Sequence, residues 1–145
     1  MAEMERLRKY RKSLFRKLFK GNHLMTITIN KLKEYGLQPV LTPSGIDIRA
    51  PERVDIPVGQ HYTVGSGVGL DIPEGYVGII YPRSKMALKK KNQIHAQIIH
   101  HDHKDEIQIN LYNSGKDVLE IKAGDLVAQI IVTKCETEYL FNGFI

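Results

Sequence analysis

Residues 73–81 read Pro73-Glu74-Gly75-Tyr76-Val77-Gly78-Ile79-Ile80-Tyr81, and this stretch decides the fold class of the chain. The proline and the first glycine favour a turn. The six residues that follow are rich in aromatic and β-branched side chains, which is typical of a β-strand. The same pattern of turn and short β-branched run continues on both sides. It predicts strands at residues 25–29, 46–48, 60–64, 76–81, 94–99, 106–111, 118–121 and 126–133.

The spacing of these strands indicates one antiparallel β domain. Short strands at intervals of about 8 to 15 residues, with no long helix between them, are typical of a sandwich or barrel. A short helical turn is predicted at residues 30–36, ended by Gly36. The 145 residues of the chain are enough for one core. We therefore expect an all-β domain over residues 25–145, preceded by an extension over residues 1–24.

The N-terminal extension carries most of the net charge. The whole chain has a net charge of +5, and residues 1–24 hold eight Lys or Arg against two Glu, so the remainder is close to neutral. Apolar side chains recur in this segment at three- and four-residue steps, which predicts a basic amphipathic helix that ends at residues 21–22. Its apolar stripe would comprise Met4, Leu7, Leu14, Phe15 and Leu18.

Several interpretations of this helix remain open. Its cations could contact an anionic membrane or the phosphates of a nucleic acid. The helix could instead pack on the β domain as a partly solvated element. Residues 1–24 could also be a leader placed upstream of a start at Met25.

The composition argues against several classes of protein. No run of about 18 apolar residues occurs, so no transmembrane segment is predicted. The basic N-terminus lacks the uninterrupted apolar stretch of a signal peptide. The single cysteine, Cys135, cannot form an internal disulfide, which indicates a reducing, cytoplasmic location. We expect Cys135 itself to be a small, partly buried apolar residue.

Four phrases of the predicted β domain stand out: Ser44-Gly45-Ile46-Asp47-Ile48-Arg49-Ala50, Tyr81-Pro82-Arg83-Ser84-Lys85-Met86-Ala87, residues 97–106, and Gly124-Asp125-Leu126-Val127-Ala128-Gln129-Ile130-Ile131. In this order and spacing they resemble the first four motifs of the trimeric dUTPase family. The resemblance extends over about residues 25 to 134. It implies a distorted jelly-roll β-sandwich, assembled as a homotrimer whose sites are shared between subunits.

The members of that family cleave dUTP to dUMP and pyrophosphate with magnesium, by attack of water on the α-phosphate. The resemblance implies that Arg83 and Ser84 contact the phosphates, since a guanidinium supplies charge and a hydroxyl donates a hydrogen bond. It implies that Asp47 organises metal-bound water or supports the site, and that Gln129 makes a phosphate or structural contact. From the residues alone, Arg83 could also form a surface ion pair, and Asp47 could belong to a turn or a sheet end.

Several residues depart from the family pattern around the predicted pocket. Lys85 stands where the family has a small residue, and Gln97 where a glycine lets uracil approach the backbone. His100 occupies the position of the aspartate that activates water, and His103 that of a tyrosine that packs on deoxyribose. Asp105 replaces the glycine before Glu106. The nucleotide-binding candidates are Arg83, Ser84, Lys85, Gln97, Ile98, Ile99, His103 and Gln129.

These departures favour binding over hydrolysis. An imidazole can accept a proton near neutral pH, but His100 is bulkier than aspartate and, when protonated, attracts phosphate oxygens. Residues 139–145 include aromatic side chains but no arginine, so they do not resemble the glycine-rich arm that forms the family's fifth motif. We expect a homotrimer that binds a nucleotide or a nucleotide-derived ligand without dUTP hydrolysis, in a sequestering or regulatory role.

Two other functions remain open. The protein could be an active magnesium-dependent dUTP diphosphatase, with His100 or the displaced carboxylate of Asp102 as the base. It could also be a protein-interaction module with a vestigial pocket, in which the basic helix, Lys89-Lys90-Lys91 and the aromatic tail contact a partner.

A transition-metal site is an alternative for the histidine-rich segment. Imidazole and carboxylate groups are ligands for zinc or nickel, and alternation along a strand would place His101 and His103 on one face. No spacing typical of a zinc site flanks them. The candidate ligands are His95, His100, His101, Asp102 and His103.

Overall fold

The computed structural model describes residues 2–19, 25–83, 92–94, 97–136 and 142–143. Within these ranges the chain forms one helix, α1 (Ala2–Phe19), and twelve strands. The all-β class predicted from the sequence is confirmed. The strands are β1 (Thr28–Lys31), β2 (Val40–Thr42), β3 (Gly45–Arg49), β4 (Val54–Ile56), β5 (His61–Gly65), β6 (Val68–Asp71), β7 (Tyr76–Pro82), β8 (Asn92–Ile94), β9 (Gln97–Ile99), β10 (Gln108–Asn113), β11 (Leu119–Ile121) and β12 (Leu126–Lys134).

The described strands pair in antiparallel fashion. The largest sheet has five strands in the order β2-β3-β12-β7-β9, and a second sheet has the order β5-β10-β8. The pairs β1-β6 and β4-β11 form two further sheets. β12 is the central strand of the largest sheet, because it pairs with β3 on one side and with β7 on the other.

The core covers one face of the five-stranded sheet. Ile46, Ile130 and Ile80 lie opposite each other on β3, β12 and β7, and all three are buried. Burial of one such side chain stabilises the fold by about 2 kcal/mol. The row of isoleucines fixes the register, because a slip by one residue would turn it to the other face. The residues next to these isoleucines in each strand therefore lie on the opposite face.

Of the eight predicted strands, five agree with the structure, two begin later and one is wrong. The strands predicted at 46–48, 60–64, 76–81, 118–121 and 126–133 correspond to β3, β5, β7, β11 and β12, and those at 25–29 and 106–111 begin later, as β1 and β10. The single strand predicted at 94–99 is wrong, because β8 pairs with β10 whereas β9 pairs with β7 in another sheet. The helical turn at 30–36 is also wrong. Its first residues belong to β1, and only a tight turn follows, in which the Gly36 amide donates to the Lys33 carbonyl at 3.0 Å.

The predicted basic helix is present as α1, which contacts β2. Leu7 is half-buried and lines a groove that also includes Leu37, Val40 and Leu41. Met4, which the helical spacing places on the same side as Leu7, is 73 % exposed, so the β domain does not cover the stripe at this end. No helix in the described part of the chain is long and apolar enough to cross a membrane. The side chains of Leu14, Phe15 and Leu18, and the helix end predicted at residues 21–22, lie outside the described residues.

Cys135 is exposed, contrary to the prediction that it is partly buried. Its position explains the difference, because β12 ends at Lys134 and residues 133–136 are all exposed. The Cys135 amide donates to the Gly75 carbonyl at 2.9 Å. The backbone is thus tied to the β domain while the thiol stays at the surface.

Candidate functional site

A row of three side chains crosses the five-stranded sheet on the face opposite to the core. Asp47 of β3 lies opposite Gln129 of β12, and Gln129 lies opposite Tyr81 of β7. Directly opposed residues of antiparallel strands share a face. All three belong to the phrases that the sequence analysis singled out. We call them the polar row.

Asp47 forms an ion pair with Arg83 at this row. Nη1 of Arg83 donates to Oδ2 of Asp47 at 3.0 Å, and 6 % of the aspartate side chain is exposed against 30 % of the arginine side chain. Arg83 directly follows Pro82, the last residue of β7, so the strand places the guanidinium beside the row. The alternative that Asp47 belongs to a turn or a sheet end is wrong, because it lies in the middle of β3. The ion pair considered for Arg83 is present, but with a buried carboxylate.

Positive charge exceeds negative charge around the polar row. Burial raises the pKa of the Asp47 carboxyl, and the charges of Arg83, Arg6 and Arg49 each oppose that rise. Arg49 lies two residues after Asp47 on β3 and hence on the same face, whereas Arg6 comes from α1. The Asp47 carboxylate is therefore paired with one guanidinium, that of Arg83, and is influenced by the positive charges of two more. Such a surplus favours an anion with several charges, for example a polyphosphate.

Gln129 connects the row to the turn between β2 and β3. Its Nε2 atom donates to the Ser44 hydroxyl at 3.0 Å, and the hydroxyl oxygens of Ser44 and Thr42 are 3.1 Å apart. A half-buried amide requires such a partner. The structure thus shows a structural contact for Gln129, and its phosphate contact stays a prediction.

The third phrase begins on β9, at the edge of the same sheet. Gln97 and Ile98 lie opposite Ile80 and Ile79 of β7. Ile98 is 57 % exposed, so it is accessible to a ligand or a partner, whereas Ile99 is buried in the core. The prediction of Ile99 as a nucleotide contact therefore needs correction. Alternation along β9 turns its side chain inward, so only its backbone could reach a ligand.

The histidine-rich segment forms a turn rather than a strand. β9 ends at Ile99, and the His103 amide donates to the His100 carbonyl at 3.0 Å. The prediction that His101 and His103 share one face of a strand is therefore wrong. His100 and Asp102 are exposed, and the other two histidines are half-buried.

The described residues bring together no group of three or more His, Cys, Asp or Glu side chains that could hold a metal ion. They give no support to a zinc or nickel site, and His95, one of its candidate ligands, lies outside them. Asp47 is the only carboxylate of the polar row, and its Oδ2 atom is engaged by Arg83. Because Mg²⁺ requires several oxygen ligands, Asp47 fits a support for Arg83 better than a direct metal ligand.

The histidine turn and the Asp47–Arg83 pair lie towards opposite ends of β7. Ile99, just before the turn, is opposite Gly78, whereas Arg83 follows the far end of the strand. The stretch from Gly78 to Arg83 spans roughly 17 Å at about 3.3 Å per residue of extended chain. The sheet of one chain therefore holds His100 apart from the polar row.

The third phrase is anchored where it ends. Oε1 of Glu106 accepts hydrogen bonds from the Tyr35 hydroxyl and the Gly67 amide, each at 2.7 Å. The hydrogen bond to Glu106 raises the pKa of Tyr35, because the phenol would lose the bond on ionisation. Gly67 has a φ of +73°, and a Cβ atom there would lie 2.4 Å from Cα of Gly36. The anchor thus depends on a close approach that glycine allows.

Sequence reasoning missed Tyr81, Arg49 and Arg6 as functional candidates beside the row. Had the strand predicted at 46–48 been extended by one residue, alternation would have placed Arg49 on the same face as Asp47. The position of Tyr81 depends on which strands are neighbours, and no local pattern signals Arg6. Four sets of predicted residues lie outside the described part of the chain: Ser84, Lys85, residues 89–91 and residues 139–141.

Comparison with known proteins identifies the family. A family model described as dUTPase matches residues 41–143. The chain is 36 % identical over 104 residues to the deoxyuridine 5′-triphosphate nucleotidohydrolase of Candida glabrata, a match that covers 70 % of this chain and 72 % of that protein. The chain belongs to the dUTPase family. A protein of the same name from Paramecium bursaria Chlorella virus 1 is 31 % identical over 117 residues, covering 79 % of this chain and 83 % of that protein.

Solved structures of the family share the fold. The dUTPase from phage phi11 of S. aureus has a TM-score of 0.74 at 23 % identity, covering 82 % of this chain and 99 % of that chain. The dUTPase of Staphylococcus bacteriophage 80alpha has a TM-score of 0.75 at 21 % identity, covering 83 % and 98 %. At this level of identity the likeness shows a common fold, and activity has to be argued from the site.

Proposed function

We propose that this member of the dUTPase family binds a nucleoside triphosphate of the dUTP class and hydrolyses it to the monophosphate and pyrophosphate. The observation that carries the proposal lies at the polar row, where the guanidinium of Arg83 is paired with the one buried carboxylate, Asp47, and the charges of Arg6 and Arg49 also act on that carboxylate. Fixed positive charge is the main requirement for stabilising phosphate groups during such a reaction. The names of the relatives add support. Hydrolysis is therefore proposed ahead of binding without turnover, which the departures in the third phrase favour.

In this proposal, Arg83 is the direct phosphate contact. A guanidinium has five N–H donors, and Asp47 is bonded to Nη1 alone, so other donors of Arg83 can bond a phosphate. Arg49 and Arg6 add positive charge around them. Gln129, held by Ser44, contributes a neutral amide beside the phosphates.

Magnesium would enter the site with the triphosphate. Mg²⁺ is commonly held by substrate phosphates together with one or two carboxylates, and it neutralises phosphate charge and orients the attacking water. A structural Mg(II) ion is coordinated in a variant of the phage phi11 dUTPase. The contribution of Asp47 in this chain would be indirect, through the orientation of Arg83.

We propose a homotrimer with its sites between subunits. The outer face of the five-stranded sheet exposes Tyr81, Ile98 and Ile131, and contact with another copy would remove these apolar side chains from water. A second copy would also explain why the histidine turn and the polar row lie apart along β7. The turn of one subunit could lie beside the polar row of another. The candidate base is then His100 of the partner subunit, or Asp102 of the partner subunit.

Binding without hydrolysis is the second candidate function. The histidine turn favours it, since His100 is exposed and no hydrogen bond or ion pair among the described residues positions the carboxylate of Asp102. A reaction that needs a carboxylate at a fixed position would be slow with such a turn. The protein would then hold its nucleotide without turning it over.

Incubation of the purified chain with dUTP and magnesium, followed by measurement of pyrophosphate, separates the two functions. Turnover of about 1 s⁻¹ or faster supports hydrolysis. A rise of the melting temperature with the imido analogue dUpNHpp, without pyrophosphate release from dUTP, supports binding alone. Arg83→Gln should remove both signals, and the exposed Arg53→Gln serves as the matched control. If neither nucleotide has an effect, both functions are excluded and the interaction module is favoured.

A further inference from the structure

One face of α1 takes no part in the proposed nucleotide site. An open concavity on the helix is lined by four cations: Arg8, Arg11, Lys12 and Arg16. Three of them recur at four-residue steps and therefore stack along one stripe over about 12 Å of the helix axis. All four side chains are exposed. None of them belongs to a salt bridge between described residues. We call this surface the α1 cationic face.

We propose that the α1 cationic face binds the phosphate backbone of a nucleic acid without sequence specificity. Residues 1–24 are strongly basic in a chain that is otherwise close to neutral, so attraction to a polyanion is concentrated on this helix. A DNA duplex carries one negative charge per about 1.7 Å of its axis. A DNA segment as long as the stripe, about 12 Å, thus carries roughly seven phosphate charges, enough for each cation of the stripe to have a partner.

The packing of α1 favours a nucleic acid over a membrane. A helix that lies in a membrane interface inserts its apolar face about 5–10 Å into the lipid. In α1, Leu7 and Tyr10 are three residues apart and hence on one side of the helix, and both are half-buried. Leu7 lines the groove beside Val40 of the β domain. The part of the apolar side that Leu7 and Tyr10 form is therefore turned to the protein, whereas the four cations face outward.

Fluorescence anisotropy with a labelled DNA duplex of about 20 base pairs, repeated over a series of salt concentrations, tests the proposal. The full chain should bind with a slope of log K against log salt of roughly −3 to −4, because each phosphate contact contributes about −0.9. Replacing all four cations of the face by glutamine should weaken binding about tenfold or more and flatten the slope. Glutamine preserves helix propensity, and circular dichroism verifies that α1 is retained.

The matched control replaces four exposed lysines elsewhere by glutamine: Lys31, Lys33, Lys116 and Lys122. This variant loses the same net charge and should bind the duplex within about twofold of the unmodified chain. An equal loss in both variants would show that total charge decides the affinity, and the proposal would be wrong. Lysine in place of the three arginines of the face should keep the slope, because phosphate attraction depends on charge. If this lysine variant no longer bound the duplex, the proposal that the α1 cationic face binds phosphates through charge alone would be wrong.

Vesicles of phosphatidylcholine with about one fifth phosphatidylserine provide the competing test. Sedimentation of the chain with these vesicles, without binding to the duplex, would overturn the proposal in favour of a membrane surface. The inference does not depend on hydrolysis. Pyrophosphate release from dUTP by the glutamine variant should equal that of the unmodified chain, because the four side chains lie outside the polar row.

Discussion

The polar row and the histidine turn differ in what holds their side chains in place. In the row, Asp47 and Gln129 sit on paired strands, and each has a side-chain partner at about 3 Å, Arg83 for the first and Ser44 for the second. In the turn, a single backbone hydrogen bond closes residues 100–103, and His100 is exposed.

This difference teaches that one chain carries a preorganised half of the proposed site and an unpositioned half. The half that attracts phosphates is part of the sheet, so damage to it should cost stability as well as ligand binding. The half that would supply a base is a surface turn, so damage to it should cost function alone. Contact between subunits would give the side chains of His100 and Asp102 the support that the described residues of their own chain do not provide.

The largest expected effect on stability comes from Arg83→Ala. The variant leaves the buried charge of Asp47 without its partner, and loss of one member of a buried ion pair costs about 3 kcal/mol. Urea denaturation measures this loss as a lower midpoint. Arg53→Ala is the control, because the Arg53–Asp55 pair is exposed on both sides and exposed pairs contribute little.

A double variant sharpens this prediction. Replacing Asp47 by Leu together with Arg83 by Met removes both charges and should recover much of the lost stability, since apolar side chains can replace a buried pair. It should not recover nucleotide binding. A double variant as unstable as Arg83→Ala would show that the row is held by something other than its ion pair.

His100→Ala should have the opposite profile. An exposed side chain contributes within about 0.5 kcal/mol to folding, whereas removal of a general base lowers turnover about 100-fold or more, which corresponds to about 2.7 kcal/mol of activation free energy. Pyrophosphate release and urea denaturation measure the two effects. His61→Ala, at an exposed histidine of β5, is the control for turnover. Unchanged turnover in both His100→Ala and Asp102→Asn would exclude the turn from the site.

The long strands of this fold could be predicted from the sequence, whereas two of the short ones, β2 and β4, were missed. β7 and β12 have seven and nine residues, long enough for β-branched runs bounded by turn residues to be recognised. β2 and β4 have three residues each, too few to show alternation. The predicted strand at 94–99 failed for another reason: β8 and β9 have similar local patterns but pair in different sheets.

The candidate site could be predicted only in its parts. Asp47 and Gln129 were found because each lies in a recognisable phrase. Their juxtaposition with Tyr81 follows from the strand order β3-β12-β7, which joins residues far apart in the chain and has no local signature. The alternation assumed for His101 and His103 failed because the chain turns after β9, and a run of polar residues does not reveal where a strand ends.

Glu106→Ala should destabilise the fold by an intermediate amount. The carboxylate accepts two hydrogen bonds, from the Tyr35 hydroxyl and the Gly67 amide. Removing the carboxylate leaves both donors without this acceptor, and loss of a hydrogen bond to a charged group costs about 2 kcal/mol. Urea denaturation checks the value, with Glu74→Ala at an exposed turn as the control. This variant also tests whether Glu106 anchors the end of the third phrase, after the histidine turn. If the free energy of unfolding is unchanged, Glu106 does not anchor the third phrase. The difference in side-chain support would then separate the sheet from all of residues 100–106, and not from the histidine turn alone.

The smallest expected effect concerns the side-chain tether of the turn, which contributes at neutral pH and is lost in acid. Nζ of Lys104 donates to the His101 carbonyl at 3.4 Å and to Oδ1 of Asp71 at 3.3 Å. Hydrogen bonds from Asn30 and Lys104 lower the pKa of Asp71 below its ordinary value of 3.8. A depressed carboxyl pKa adds stability that is fully present above 3.8 and is lost as the pH falls through the folded-state value.

Asp71→Asn should therefore lower the melting temperature slightly at neutral pH and flatten its decline below about pH 4, so that the variant and the unmodified chain converge in acid. Scanning calorimetry at a series of pH values measures the decline, and Asp117→Asn, at an exposed aspartate, is the control. Because Lys104 joins this carboxylate to the turn, the variant should also raise hydrogen exchange at the amides of residues 101–103, if the tether orders them. Exchange that stays the same would mean that the turn is closed by its backbone hydrogen bond alone, and the two halves of the site would then differ even more than the contacts indicate.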